Sequence, residues 1–501
     1  MPIKIVLLWT DWVLWGGLMA ALLYGRHVLR QPQLRSQWRR VWRDPAALAS
    51  AVLLTALLGV TLVDSLHFRR ALPPVPGQPA DRVFYAARTD SLLDVLLARP
   101  LAGREATYSA PLAWQGFIKE SRSMPDGQVR REQPRLSFGG AHLANPASNW
   151  LADLLLRAAL GAAGGGILAA GLLWTSLGAM RRMDAALAGL DRPALWRAVM
   201  ADRGEIPWRA GWAMLALLLL LTGMAVALGG GYHVLGTDGT GNDVLVQALK
   251  SVRTAFVIGS MASLATLPLA IALGVLAGWF GGWVDEVIQY VYTVLSSVPN
   301  VLLIAACVLM VQVFLDKHPE AFETGLERAD LKIFLLCLIL GLTGWAGLCR
   351  LLRAETLKLR ELEFVQAATA FGVGPLGIMR RHLLPNLMHL VLINTVLDFS
   401  GLILYEAVLS YVGVGVDPSM HSYGGMINLG REEMSRDPVI WWSFSAAFVF
   451  MVAMVLAANL FADGVRDAFD PRSRSLRARR VARRSTAAAA TPDATTTEAA
   501  R

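Results

Sequence analysis

Nine stretches of this chain stay apolar for about twenty residues, the length a helix needs to cross the hydrocarbon core of a bilayer. They run roughly over 3–24, 46–66, 151–178, 210–230, 252–280, 287–315, 332–352, 388–411 and 439–462. Of the 501 residues, 55% are hydrophobic and 17% charged, against about 25% charged in ordinary soluble domains. A water-soluble core could not bury so many apolar side chains, which argues against a soluble enzyme of two or three domains. The same richness excludes disorder for the bulk of the chain. The expected fold class is all-α: a polytopic membrane protein with about nine transmembrane helices.

Basic residues orient these spans. Arg26, Arg30, Arg35, Arg39, Arg40 and Arg43 follow the first; Arg181, Arg182, Arg192, Arg197, Arg203 and Arg209 lie between the third and fourth. Arg350, Arg353, Lys358, Arg360, Arg380 and Arg381 lie between the seventh and eighth. Nine spans with an outer N-terminus and a cytoplasmic C-terminus put all of them, and the Arg-rich tail, on the cytoplasmic side. Trp9, Trp12 and Trp15 then read as an interfacial belt near the outer leaflet. The first segment has little basic residue ahead of it, so a removable signal peptide is not expected.

The net charge is +9, and the last thirty residues supply +6 of it, eight Arg against Asp493 and Glu498. The high charge therefore belongs to one tail, not to a nucleic-acid-binding surface. Beyond Arg484 that tail is low-complexity and is expected to be disordered. The loop 67–150 falls outside the membrane, and Pro73, Pro74, Pro76 and Pro79 make its start extended. A small exported cap and a plain connector both fit it. Cys307, Cys337 and Cys349 have no CxxC spacing and read as small buried hydrophobes.

Catalytic signatures are missing. There is no GxxxxGK[ST], no HExxH, no GxSxG, and no GxGxxG in a strand–helix context. The pattern leans toward transport or assembly, with no catalytic residue, no metal site and no cofactor on this chain.

One segment is informative: Glu363-Phe-Val-Gln-Ala-Ala-Thr-Ala-Phe-Gly372, followed by Val-Gly-Pro-Leu-Gly-Ile-Met-Arg-Arg-His382-Leu-Leu-Pro385-Asn386. It reads as a short helix ending at Gly372, where positive φ is cheap, and a second starting near Pro375 and stopping before Pro385. Ala367, Ala368 and Ala370 offer a small-residue surface that a partner can approach closely. Two surface helices between spans make a rigid knob suited to transmitting force.

This segment resembles the EAA loop of ABC importer permeases, whose first helix docks into the ATPase subunit. Other pieces narrow the resemblance: His233-Val-Leu-Gly236-Thr237-Asp238-Gly-Thr-Gly241-Asn-Asp243, Gly281-Gly282-Trp-Val-Asp285-Glu286, Leu409-Ser-Tyr-Val-Gly-Val-Gly415, and Asp463-Gly-Val-Arg-Asp-Ala-Phe-Asp470-Pro471-Arg472. Together they look like the C-type permease subunit of the dipeptide, oligopeptide and nickel importers, over about Trp208 to Arg472. The resemblance implies a six-helix core over 210–472, an extra module with three spans over 1–209, and a basic tail over 473–501. It assigns ATPase coupling to Glu363, Phe364, Ala367, Ala368, Gly372, His382, Pro385 and Asn386, and a second cytoplasmic contact to Gly282, Asp285 and Glu286. The family usually has Gly-Arg-Asp where this chain has Gly241-Asn242-Asp243, and often a basic residue near Gln247.

Each site has a plainer reading. Asp238 and Asp243 flank glycines, but the spacing is not that of an EF-hand, and a tight turn with Asx capping is preferred to cation binding. Asp398 and Glu406 are eight residues apart, about 80° around a helix, and either line a pathway or bond to neighbouring helices. Glu355 and Glu361 read as solvated charges.

The resemblance implies a permease that translocates peptides or similar small solutes by alternating access. Its implied partners are a second permease, two P-loop ATPases holding ATP and magnesium, a solute-binding protein and the bacterial inner membrane, with no nucleic acid. A non-transport scaffold or sensor that kept a permease-like core is the alternative. A secondary transporter would show internal repeats, and none stands out.

Overall fold

A computed structural model describes residues 3–72, 84–123, 129–183, 187 and 189–469. The proline-rich start of the long loop, the Asp470–Arg472 end of the last motif and the basic tail fall largely or wholly outside the described residues.

The chain opens with helices α1 (Trp9–Arg30), α2 (Pro32–Val41) and α3 (Pro45–Asp64). Pro45 suits the first helical position, and the Asp44 carboxylate accepts a bond from Ala46 N to cap α3. Short helices α4 (Leu92–Leu96) and α5 (Ala98–Ala102) lead to long α6 (Pro146–Met183), α7 (Arg192–Met200) and α8 (Trp208–Gly229). Then come α9 (Val244–Phe280), α10 (Gly282–Ser297), α11 (Asn300–Lys317), α12 (Gly325–Gly344), α13 (Ala346–Arg360), α14 (Glu363–Ala370), α15 (Pro375–Ile378), α16 (Leu384–Tyr411), α17 (Tyr423–Met434) and α18 (Trp442–Phe469).

Among the described residues, seven helices are long and apolar enough to cross a membrane, or eight if bent α12–α13 is one span. The chain is therefore membrane-spanning, and two of the nine expected spans need correction. The first expected span, 3–24, begins as strand β1 (Ile3–Val6) and becomes helical only at Trp9. Asp11, the tryptophans and the basic end of α1 leave that helix short of the apolarity of the others. The expected span 287–315 is two helices, because Pro299 disfavours a helical Val298, whose ψ is 134°. The expected 252–280 is longer than foreseen and starts at Val244.

Helix α9 is the axis of the bundle. Its 37 residues span about 55 Å at the α-helical rise, and α3, α10, α12, α13, α16 and α17 pack around it. Helix α3 also packs on α8 and α18, so the N-terminal stretch is woven into the rest of the bundle. Helices α6 and α8 touch backbone to backbone at Gly161, Gly165 and Gly223, where an added Cβ would strike the facing chain.

The described residues of the long loop carry short strands and pack onto the turn ahead of α9. Strand β2 (His67–Arg70) pairs antiparallel with β1 and with β3 (Asp90–Ser91), and β4 (Glu120–Ser123) pairs with β5 (Val129–Glu132). These strands are a small addition to an otherwise helical fold. Below them a buried polar cluster ties the N-terminus to the bundle. Arg253 of α9 donates to Asp11 (2.8 Å) and Thr10 (2.9 Å), Asp330 of α12 accepts from Thr10 N (3.0 Å), and His67 bonds Asp11 (3.0 Å).

Candidate functional site

The predicted residues gather at the two ends of α9. At the far end, α14 and α15 follow α13 as a folded knob. Gly372 takes φ +76°, ending α14 as expected. Val365, Ile378 and Leu383 point inward and are at most 1% exposed, in one apolar cluster with Leu352, Cys349 and Ile288. The outer side of the knob is apolar and bare: Phe371 is 89% exposed and Leu376 78%, with Phe364 and Leu362 beside them. Glu363, Ala367 and Gly372 are also exposed. Ala368 is not wholly part of that surface, because it packs against the buried cluster.

The second short helix does not stop before Pro385. It widens into a π-helical turn at Met379–Leu383 and runs on into α16. Pro385 has no N–H to give the carbonyl four residues back, and a wider turn accommodates that loss. His382 sits in this turn with its ring 6.1 Å from the Phe364 ring, so the two halves of the motif meet. Asn386 is exposed and its side chain donates to the His382 carbonyl (2.7 Å).

Gly281 and Gly282, at φ +63° and +53°, turn α9 into α10. Gly282 and Glu286 are exposed, but Asp285 is turned inward onto Arg353 of α13 (2.6 Å). Arg360, at the end of α13, donates to the Trp279 carbonyl at the end of α9 (3.0 Å). Three hydrogen bonds, two from Arg353 and one from Arg360, thus fix the α9–α10 turn to the helix that carries the knob.

The near end of α9 holds the other motif. Asp238 accepts from the Thr240 and Asn242 amides (2.8 and 2.9 Å), and Asp243 caps α9 through Val246 N (3.1 Å). Asp238 thus closes an Asx-type turn and Asp243 caps the helix that follows it. Asn242 and Gln247, the two positions that depart from the family pattern, both donate to Asp238 (3.4 and 2.6 Å). Thr237 is bonded to Ser109 of the cap, and the Trp442 indole donates to the Thr237 carbonyl (2.9 Å). Gly236 and Gly241 both have φ +77°, and a Cβ on Gly241 would collide with the Glu105 carbonyl oxygen.

Glu105 is the residue that sequence reasoning missed. Its carboxylate accepts from Ser137 N and Oγ, Phe138 N and Gly139 N at 2.7–3.0 Å, while its amide donates to the Gly241 carbonyl (3.0 Å). His233 lies between Asp243 (2.7 Å) and Glu105 (3.7 Å), 1% exposed. Burial works against its charge, but the two carboxylates outweigh it and raise the imidazole to about 9. Burial likewise opposes ionisation of Glu105, and His233 with the amide and hydroxyl donors outweighs it, holding the carboxyl down at about 2. No local signal marks Glu105, since its partners lie more than thirty residues away along the chain.

Glu406 of α16 is buried, accepts from Ser410 Oγ (2.7 Å) and faces Gly424 of α17. Asp398 is half-buried and accepts from Asn394 of its own helix (2.6 Å). The two carboxylates are not brought together.

Residues 270–475 match the family described as "Binding-protein-dependent transport system inner membrane component". The oligopeptide transport system permease protein OppC of Mycobacterium bovis is 33% identical over 288 residues, covering 54% of this chain and 92% of that one. The protein of the same name from Haemophilus influenzae is 32% identical, covering 49% of this chain and 72% of that one. The dipeptide transport system permease protein DppC of Lactococcus lactis is 30% identical, covering 48% and 64%. The knob after α13, its pinned α9–α10 turn and this coverage lead to one conclusion: the chain belongs to the family of inner membrane components of binding-protein-dependent transport systems.

Proposed function

We propose that this chain is the permease subunit of an ATP-driven importer of peptides or similar small solutes. The carrying observation is the knob over Glu363–Asn386, anchored inward by Val365 and Ile378 and presenting bare Phe371 and Leu376 outward. Apolar side chains so exposed on a rigid element suit a protein partner. The peptide class is supported by the names of the OppC and DppC relatives.

In this reading the knob faces the cytoplasm and docks into one of two separate P-loop ATPase subunits, which hold ATP and magnesium. Gly282 and Glu286 form a second contact. ATPase closure pulls the knob, α13 carries the motion through Arg353 and Arg360 to the α9–α10 turn, and the core over 210–472 changes access. A second permease completes the pathway, and a binding protein delivers solute at the capped face, in the inner membrane of a bacterium. The module over 1–209 wraps that core, and the C-terminus lies in the cytoplasm.

A tagged pull-down from mild-detergent membranes tests this. A second permease and one or two P-loop ATPases should co-purify, and Phe371→Ser with Leu376→Ser should release the ATPases while the chain stays folded. An intact chain that brings down no ATPase overturns the reading.

A further inference from the structure

An apolar crevice of about 360 Å³ lies between α1 and the bundle, walled by α1, α3, α9, α16 and α18. Its lining comes from near the middle of each helix, as with Gly17, Leu54, Ser260 and Phe399. Four of the five walls are long, apolar spans, so the crevice sits at the depth of the hydrocarbon core. Helices α1 and α3 precede the stretch 270–475 that matches the family, so the N-terminal residues create this space.

A glycine of α1 faces the bundle here without touching it. A Cβ added to Gly17 would meet only Leu264 Cδ1, at 3.8 Å, whereas a Cβ on Gly161 of α6 would strike the Gly223 carbonyl oxygen of α8 at 2.4 Å. Helix α1 is pinned at both ends, which holds it off the core. Asp11 ties its start to Arg253 (2.8 Å), and beyond its end the Trp38 ring of α2 packs on Phe469 of α18, 5.6 Å away. Ala21 and Leu264 are exposed walls, so the crevice opens to the surroundings of the helices. Leu14, Ser263 and Ala458 form its inner side, at 8%, 4% and 2% exposed.

Nothing polar claims the space. No charged residue lines it, and its three hydroxyls, Ser260, Ser263 and Thr395, each donate to a carbonyl of their own helix at 2.7 Å. A water there would find too few partners. An unfilled apolar void of this size is unfavourable in an otherwise close-packed interior. One turn of a partner helix does not fit, since with side chains it is about 10 Å across and 5.4 Å long, roughly 400 Å³ or more. A single hydrocarbon chain does fit: at about 30 Å³ for a group the size of a water or a methylene, the space takes roughly twelve. At this depth the bilayer itself supplies such chains.

We propose that the crevice holds one acyl chain of a membrane phospholipid, which fills the gap between α1 and the bundle. With no charge in the lining, the site takes the chain and does not select the headgroup. The assignment rests on the crevice alone and holds whether or not the protein imports peptides.

Photolabelling of the full chain tests it, in nanodiscs of phosphatidylcholine of which a fraction carries a diazirine at mid-chain. The chain is used both alone and with the subunits that accompany it from mild-detergent membranes. Mass spectrometry should find adducts on Leu14, Ser263 and Ala458, which lipid around the bundle does not reach, as well as on outward-facing Ile167. Gly17→Leu with Ala21→Leu fills the crevice with better helix formers and should cut the three inner adducts about tenfold, leaving the Ile167 adduct unchanged. Phosphatidylglycerol with the same chains should label the inner positions within about twofold of phosphatidylcholine. If the filled variant fails to fold, the map of the unmodified chain decides the matter by itself. No inner adducts on the unmodified chain, undiminished inner adducts on a folded filled variant, a larger headgroup preference, or inner adducts that vanish when the accompanying subunits are retained overturns the proposal.

Discussion

At the capped end of α9, His233 and Thr237 are at most 1% exposed, and Glu105 and Asp243 6%, each with partners inside the chain. At the other end, Phe371, just past the eight-residue α14, and Leu376, on the four-residue α15, stand 89% and 78% exposed. One end has replaced solvent by its own cap, and the other keeps an apolar surface that no described residue covers. Buried charges are strongly destabilising when a partner is removed, whereas exposed side chains can be changed at little cost to folding. The capped end should therefore fail by unfolding and the knob by losing its partner.

The largest expected effect is at Gly241. Gly241→Val forces a β-branched residue to positive φ and drives its Cβ into the Glu105 backbone. A loss of about 4 kcal/mol or failure to fold is expected from clash plus strain, read as a lower melting temperature and rapid proteolysis of the 84–150 region. A stable, protease-resistant variant would break the picture of a locked cap. Next is Glu105→Gln, which leaves His233 with one carboxylate and gives the Ser137–Gly139 amides a weaker acceptor. A cost of about 3 kcal/mol follows for breaking one side of a buried pair, and unchanged proteolysis of the cap would count against it.

The pH dependence sharpens the same contrast. His233 is raised from its ordinary value of 6.5 to about 9, so its contribution is complete below pH 6.5 and is lost as pH climbs through 9. Glu105 is depressed from 4.5 to about 2, so its contribution is complete above pH 4.5 and fades as pH falls through 2. The cap should hold best between these limits and lose about 3 kcal/mol between pH 6.5 and 10. Amide exchange of residues 105–112 and 233–243 measures this, and alkaline exchange that rises only by its intrinsic rate would remove His233 from the account.

The smallest effect on stability belongs to the knob. Ala367→Leu, on the exposed side of α14, should change the melting temperature little, within about 0.5 kcal/mol, yet block ATPase co-purification. Ala368→Leu should instead lower stability by about 1–3 kcal/mol through overpacking, because Ala368 meets the buried cluster. If the two variants behave alike in melting, the knob is less firmly anchored than its packing indicates.

Much of the loop end was legible because its information is local. Gly372 ends a helix by itself, the α14 and α15 boundaries follow from nearby residues, and Gly281–Gly282 turn the chain where they stand. What local reading missed there is the continuity through Pro385, because a π-turn depends on how the carbonyls around it are satisfied. At the capped end the turn at Asp238 and the cap at Asp243 were legible, but their partner Glu105 was not, lying more than a hundred residues earlier. The broken helix at Val298–Pro299 carried its signal in the proline, and the apolar run on both sides of it masked that signal.

By itself, then, the sequence determined a membrane-spanning helical chain, the positions of most helices and the knob between α13 and α16, because hydrophobic length, helix caps and glycine turns act over a few residues. Only the tertiary structure decided that the long loop folds over the Asp238 turn, that Arg253 gathers Asp11 and Asp330, and that α1, held there by Asp11, stands off the bundle across an apolar crevice. Those outcomes depend on desolvated charges finding partners far apart in the chain, and no pattern along a sequence records which carboxylate a folded arginine will reach.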